Sequence, residues 1–130
     1  MRLIIGGYAQ GKLDYVLEKY KDPVLIWDGM KDEELPTGDG YMVLHNLHSW
    51  IGKKLADANF SPDRITEMIL TWTREHTDCI VICNEIGSGV VPVDADERAW
   101  REVTGRICTA LAKEAESVER IVCGLAQRLG

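Results

Sequence analysis

The chain has 130 residues, 45% hydrophobic and 28% charged, which is enough to enclose one core and unlike a disordered polymer. Fifteen basic against twenty-one acidic residues give a formal net charge of −6, which argues against general nucleic-acid binding but leaves room for a phosphate held by backbone N–H groups. Every apolar run is too short for a membrane span, and Leu3-Ile4-Ile5 is too short for the core of a secretory signal, so the expected compartment is the cytoplasm.

Strand-like and helix-like stretches alternate from the start. Leu3-Ile4-Ile5 followed by Gly6-Gly7 reads as a buried strand entering a turn. Leu13, Val16, Leu17 and Tyr20 recur at helical spacing, predicting an amphipathic helix from Gly11 to about Tyr20. Beyond Pro23, Val24 to Trp27 reads as a second buried strand, and the acidic, glycine-bearing stretch from Gly29 to Gly40 as a loop. Tyr41 to Leu44 forms a third strand, leading into a helix from about Leu47 to Ala58. Ser61-Pro62 supplies an N-cap and a first-turn proline for a helix carrying Ile65, Met68, Ile69 and Trp72 on one face. Cys79 to Cys83 is a fourth strand. Asp94 and Glu97 form a capping box for a helix bearing Trp100, Val103, Ile107 and Leu111, and Val118 to Cys123 is the last strand.

This alternation predicts an α/β fold, one domain over residues 1–130 with a mostly parallel sheet flanked by helices. Cys79, Cys83, Cys108 and Cys123 form no CxxC pair, and three of them lie in or beside apolar runs, so they read as buried structural thiols. No metal-ligand spacing stands out. Trp72 and Trp100 fall on apolar helix faces, and His76 reads as a surface residue.

The chemistry most visible in the sequence lies in Gly6-Gly7-Tyr8-Ala9-Gln10-Gly11-Lys12-Leu13, a GxxxxGK run between the first strand and the first helix. Glycines there let the backbone curl so that N–H groups converge on a phosphate, and Lys12 would reach the outer phosphates of a nucleotide. The alternative is an ordinary glycine turn. Leu13 occupies the place where such loops carry the hydroxyl that ligates Mg²⁺.

A second glycine motif, Asn84-Glu85-Ile86-Gly87-Ser88-Gly89-Val90-Val91-Pro92, follows the fourth strand and should share a rim with the first loop. Glu85 could hold a metal or a hydroxyl, or equally cap a helix or pair with an arginine. With Arg101, Gly105 and Arg106 in the next helix, and Val122-Cys123-Gly124-Leu125 near the end, this motif resembles the bifunctional adenosylcobinamide kinase/adenosylcobinamide-phosphate guanylyltransferase family.

The resemblance implies a RecA-like P-loop sheet, homotrimeric assembly, and an enzyme of cobalamin biosynthesis. Family members phosphorylate adenosylcobinamide with a nucleoside triphosphate, then transfer GMP through a guanylylated histidine. By position, Gly6, Gly7, Tyr8, Ala9, Gln10, Gly11, Lys12 and Leu13 would bind ATP or GTP, and Lys12 and Glu85 would take part in catalysis. Three departures bear on the implied Mg²⁺ and on both transfers. Leu13 lacks the hydroxyl; His45 stands where the family carries an acid; and the stretch between Trp27 and Tyr41, where the family has its histidine-bearing helix, contains no histidine. His45 or His48 could act as a substitute nucleophile, or serve in capping or packing. Impaired catalysis is the expectation. The alternative is a non-catalytic subunit that binds a nucleotide or a corrinoid.

Overall fold

A computed structural model describes residues 1–8, 10–86 and 94–130. Ala9 and the run Gly87 to Pro92, both singled out above, lie outside the described residues. In chain order the elements are β1 (Arg2–Gly6), α1 (Lys12–Lys19), β2 (Leu25–Asp28), β3 (Met42–His45), α2 (Leu47–Leu55), α3 (Pro62–Glu75), β4 (Cys79–Asn84), α4 (Ala95–Glu114), β5 (Ser117–Val122) and β6 (Leu125–Arg128). The six strands form one sheet in the order β2-β3-β4-β1-β5-β6, parallel throughout except for the antiparallel β5–β6 hairpin. This is the P-loop-type α/β sheet flanked by helices expected from the alternating pattern.

The side-chain alternation of the central strands builds two cores. Leu3, Met42, Leu44, Val81, Cys83 and Val118 point to one face, where they meet Trp50, Ile51, Ile65, Ile69, Ile107 and Leu111 of α2, α3 and α4. Ile4, Tyr41, Val43, Ile80, Ile82 and Ile121 point to the other, where α1 packs through Val16. Chain direction explains the asymmetry. The β1→β2 connection runs one way across the sheet and the later connections run back, so right-handed crossovers put α1 opposite the other three helices. On the α1 face Glu119 is buried and accepts hydrogen bonds from the hydroxyls of Tyr15 and Tyr20 and from the Lys19 ammonium. Burial alone would raise its carboxyl, but these donors hold it below the ordinary value.

Local signals acted where they were read. The Ser61 hydroxyl accepts the Arg64 N–H at 3.1 Å, Pro62 opens α3, and the Asp94 carboxylate accepts the Glu97 N–H at 2.7 Å. Several expectations need correction. The second strand is buried only in part: β2 is a sheet edge, Val24 just before it is 68% exposed and Leu25 and Ile26 are exposed, while Trp27 is buried. An apolar run cannot by itself tell a central strand from an edge, because strand order is a tertiary property. α2 ends at Leu55, short of Ala58. Cys123 is exposed, because it sits in the two-residue turn of the β5–β6 hairpin with φ 51°, followed by Gly124 at φ 75°. His76 is half-buried, stacked on Trp72 at 4.0 Å between ring centroids, with its ring nitrogens 2.8 Å from the Trp72 carbonyl and 3.2 Å from that of Gly38.

Residues 29–40 form turns and bends without helix or strand, as the acidic, glycine-bearing composition predicted, and β3 starts at Met42, one residue after the expected Tyr41. Indole N–H groups hold this segment down: Trp27 donates to the carbonyl of Glu34, Trp50 to that of Glu33 and Trp72 to that of Pro36, at 2.7–3.0 Å. Buried tryptophans need an acceptor for their one polar group, and the loop supplies it while covering their rings.

Candidate nucleotide site

At the carboxyl edge of the sheet the ends of β1, β3 and β4 surround a cleft of about 550 Å³. A larger groove of about 760 Å³ runs along α3 beside Leu35 and Trp72, away from these strand ends. Chemistry favours the smaller cleft. It lies where α/β sheets of this kind take ligands, and it gathers the glycine loop, a lysine and two imidazoles.

One wall is the glycine loop. Gly6 closes β1 beside Asn84 on one side and Ile121 on the other, and a Cβ there would come within 2.7 Å of the Ile121 carbonyl oxygen. Gly11 takes a left-handed conformation, φ 80°, immediately before α1. Lys12, the first residue of that helix, is only 6% exposed, and its ammonium donates to the Gly7 carbonyl at 2.6 Å. The loop is thus curled over its own lysine. Burial lowers the Lys12 pKa, and the Glu85 carboxylate opposes that shift. Gln10 faces the hairpin: its side-chain oxygen accepts the Cys123 N–H at 2.6 Å and its carbonyl accepts the Gly124 N–H at 3.0 Å. Tyr8 is 86% exposed, and Leu13 lines the cleft.

The opposite wall comes from β3 and α2. Asn46 takes the left-handed conformation, φ 57°, that lets the chain turn from strand to helix, and its amide donates to Asp28 Oδ1 at 3.0 Å. Asp28 also accepts the Met30 N–H; burial alone would raise its carboxyl, but these donors hold it below the ordinary value. His45 lies beside Asp28 in the sheet, with its Nδ1 buried and unpartnered among the described residues. Burial lowers its pKa, so the ring is neutral at pH 7. His48 is buried, its Nδ1 accepts the Asn84 N–H at 3.1 Å, and burial lowers its pKa to about 4. The Trp100 indole donates to the His48 carbonyl at 2.8 Å, tying α4 to this wall.

Glu85 takes the arginine partner that the sequence left as one of several readings: Arg120 Nε donates to its Oε1 at 2.7 Å. In the helix after the second motif, Arg101 pairs with Glu97 and Arg106 with Glu102. Sequence reasoning missed Asn46, Asp28 and Arg120, and missed the hairpin behind the glycine loop. Asn46 and Asp28 left only a faint signal, since a polar residue at a strand end is common. The Cys123-Gly124 turn between two apolar residues was the legible sign of the hairpin.

The donor set does not fit the Mg²⁺ ion that the family resemblance implies. A hard cation needs oxygen ligands. Leu13 offers none, His45 replaces the acid, and Asp28 on the neighbouring strand accepts both the Asn46 amide and the Met30 N–H on Oδ1, which leaves Oδ2 as its one oxygen for a cation. Among the described residues no group of three or more His, Cys, Asp or Glu side chains is arranged to hold a metal. No helix among them is long and apolar enough to cross a membrane.

A central strand running through a glycine loop into a helix, with a buried lysine at the join, defines a protein of the P-loop α/β class. Within that class, residues 27–129 match the family described as cobinamide kinase / cobinamide phosphate guanyltransferase, and the chain belongs to this family. It is also 30% identical over 67 residues to the bifunctional adenosylcobalamin biosynthesis protein CobU of Salmonella typhimurium. That alignment takes in 52% of this chain and 37% of the relative, so the chain spans well under half of the curated relative it matches. Gly6 to Lys12 precede Trp27, the first residue of the family match, so the glycine loop rests on its own geometry.

Proposed function

We propose that this chain is a nucleotide-binding protein of the cobalamin pathway, binding ATP or GTP at the Gly6–Lys12 loop, with kinase and guanylyl-transfer activities reduced relative to its family. One observation carries the reading: the glycine loop curls over a buried lysine at the mouth of a cleft formed by the ends of β1, β3 and β4. A nucleotide phosphate would take the place of the Gly7 carbonyl as acceptor for the Lys12 ammonium, and the N–H groups at the start of α1 would add donors. Reduced transfer follows from the second wall. Phosphoryl transfer needs its developing charge neutralised, and the usual metal ligands are replaced by a leucine and an uncharged imidazole.

Isothermal titration with ATP and with GTP, each with and without Mg²⁺, tests this. Binding that changes little when Mg²⁺ is removed, and is weakened about 10- to 100-fold in Lys12→Ala, supports it; failure to bind both ATP and GTP overturns it. For guanylyl transfer, incubation with labelled GTP should leave little or no label on the protein. A stable label that survives in Lys12→Ala but disappears in His45→Ala would assign His45 a catalytic role. Cytoplasmic location and trimeric assembly accompany this reading through the family, and light scattering tests the trimer directly.

A second reading, a non-catalytic subunit holding a nucleotide or a corrinoid for a partner, draws on the 29–40 segment. This segment has no histidine and is fixed by three tryptophans. Titration with a cobinamide beside the nucleotide titrations separates the two: a protein that binds cobinamide but neither ATP nor GTP fits the second reading and overturns the first.

A further inference from the structure

Only one of the two histidines in the cleft has its tautomer fixed by the fold. The parallel register sets Asn84, the last residue of β4, beside Gly6, where the glycine loop begins. The backbone N–H of Asn84 donates to His48 Nδ1 at 3.1 Å. A backbone N–H can only donate, so Nδ1 must carry the lone pair and the ring proton must sit on Nε2. The rest of the residue is fixed as well: it lies in the first turn of α2, its carbonyl accepts the Trp100 indole N–H, and the ring is tilted 42° to that indole at 6.4 Å between centroids. Among the described residues Nε2 has no hydrogen-bond partner, and His48 lines the cleft together with Lys12.

We propose that His48 is a specific phosphate-binding residue, an uncharged imidazole that donates its Nε2–H to a phosphate oxygen of the nucleotide opposite Lys12. This rests on the nucleotide reading above and deepens it. The proposal explains how a cleft without metal ligands can accept a polyphosphate: a neutral donor of fixed orientation adds a hydrogen bond to an anion without bringing a second buried charge next to Lys12. It also separates the two imidazoles. Attack on a phosphate needs a bare lone pair facing the cleft, and His48 presents N–H there. Reversing its tautomer would leave the Asn84 N–H facing another donor. His48 is therefore a binding group, not a nucleophile.

Two substitutions divide the ring's functions. In His48→Asn the side-chain oxygen can still accept from Asn84, but nothing reaches the position of Nε2; in His48→Gln an amide N–H reaches that position. With inorganic tripolyphosphate and ATP as probes, His48→Asn should bind about tenfold more weakly than the wild type, and His48→Gln should recover most of that loss. Nitrogen-15 spectra of the ring should show the Nε2–H tautomer in the free protein, and tripolyphosphate should shift the Nε2–H signal while leaving Nδ1 nearly unchanged. An Nδ1–H tautomer overturns the proposal. So does wild-type affinity in His48→Asn alongside lost affinity in Lys12→Ala, an outcome that leaves the nucleotide reading standing. Failure of the wild-type protein to bind either probe overturns both.

Discussion

The two walls of the cleft have been built under different constraints. The glycine-loop wall depends on backbone: Gly6 is pressed against Ile121, Gly11 is left-handed, and Gln10 is tied to the β5–β6 turn. The β3–α2 wall depends on side chains, and there His45 stands where the family resemblance implies an acid, beside Asn46 and His48. Backbone that must curl tolerates few residue types, whereas a side chain at the end of a strand can change without disturbing the sheet. The proposed function therefore separates recognition of a phosphate, on the first wall, from its activation, on the second.

The largest effect should appear in the second wall and in stability. Unfolded, His48 titrates near its ordinary 6.5, and folded it titrates at about 4. Between those values the unfolded chain binds the extra proton. The stabilisation is therefore complete above pH 6.5 and is lost as the pH falls towards 4, by roughly 3 kcal/mol for this residue. His45 is shifted in the same direction. Urea midpoints measured across this range should fall with acidification, and less steeply in His48→Asn; a flat profile contradicts the burial of these rings.

On the first wall, Lys12→Ala should weaken ATP binding by about 10- to 100-fold, the usual range for losing a charge-assisted contact. Titration calorimetry reads it, and an unchanged affinity would show that this wall does not hold phosphate. Gln10→Ala removes one of the two contacts to the hairpin and leaves the Gly124 N–H bonded to the main chain. A loss of about 1 kcal/mol in thermal or urea stability is expected, with ATP affinity reduced a few-fold as the loop loosens. The smallest effect sharpens the contrast most. Leu13→Ser combined with His45→Asp returns two oxygen ligands to the cleft, and should convert nucleotide binding from insensitive to Mg²⁺ to a few-fold tighter with it, while either substitution alone changes little.

Much of the fold was legible because its signals are local. Apolar runs of the right length, the Ser61-Pro62 start of α3 and the Asp94 cap of α4 each act within a few residues. Edge and centre were not legible, which is why Val24 to Trp27 reads as buried while β2 lies at the rim. Cys123 misled for a related reason: it follows an apolar strand, but the chain reverses there to form β6. The glycine loop and the metal-ligand departures at Leu13 and His45 could be read from residue types at fixed spacings. The Arg120 partner of Glu85 is 35 residues away in sequence and could not.

The sequence by itself determined the α/β alternation, the glycine loop with Lys12 at its end, and the loss of the hydroxyl and the acid. Those are matters of period, spacing and residue type, each contained in a short segment. Only the tertiary structure decided that Gln10 grips the hairpin, that three indoles hold the 29–40 segment, and that Asn84 fixes the His48 ring. Each of those joins residues that are far apart in the chain or in different elements, so it exists only once the strands have taken their order. The proton on His48 is the clearest case. Its position depends on which backbone group β4 brings alongside the ring, and no local pattern around His48 specifies that.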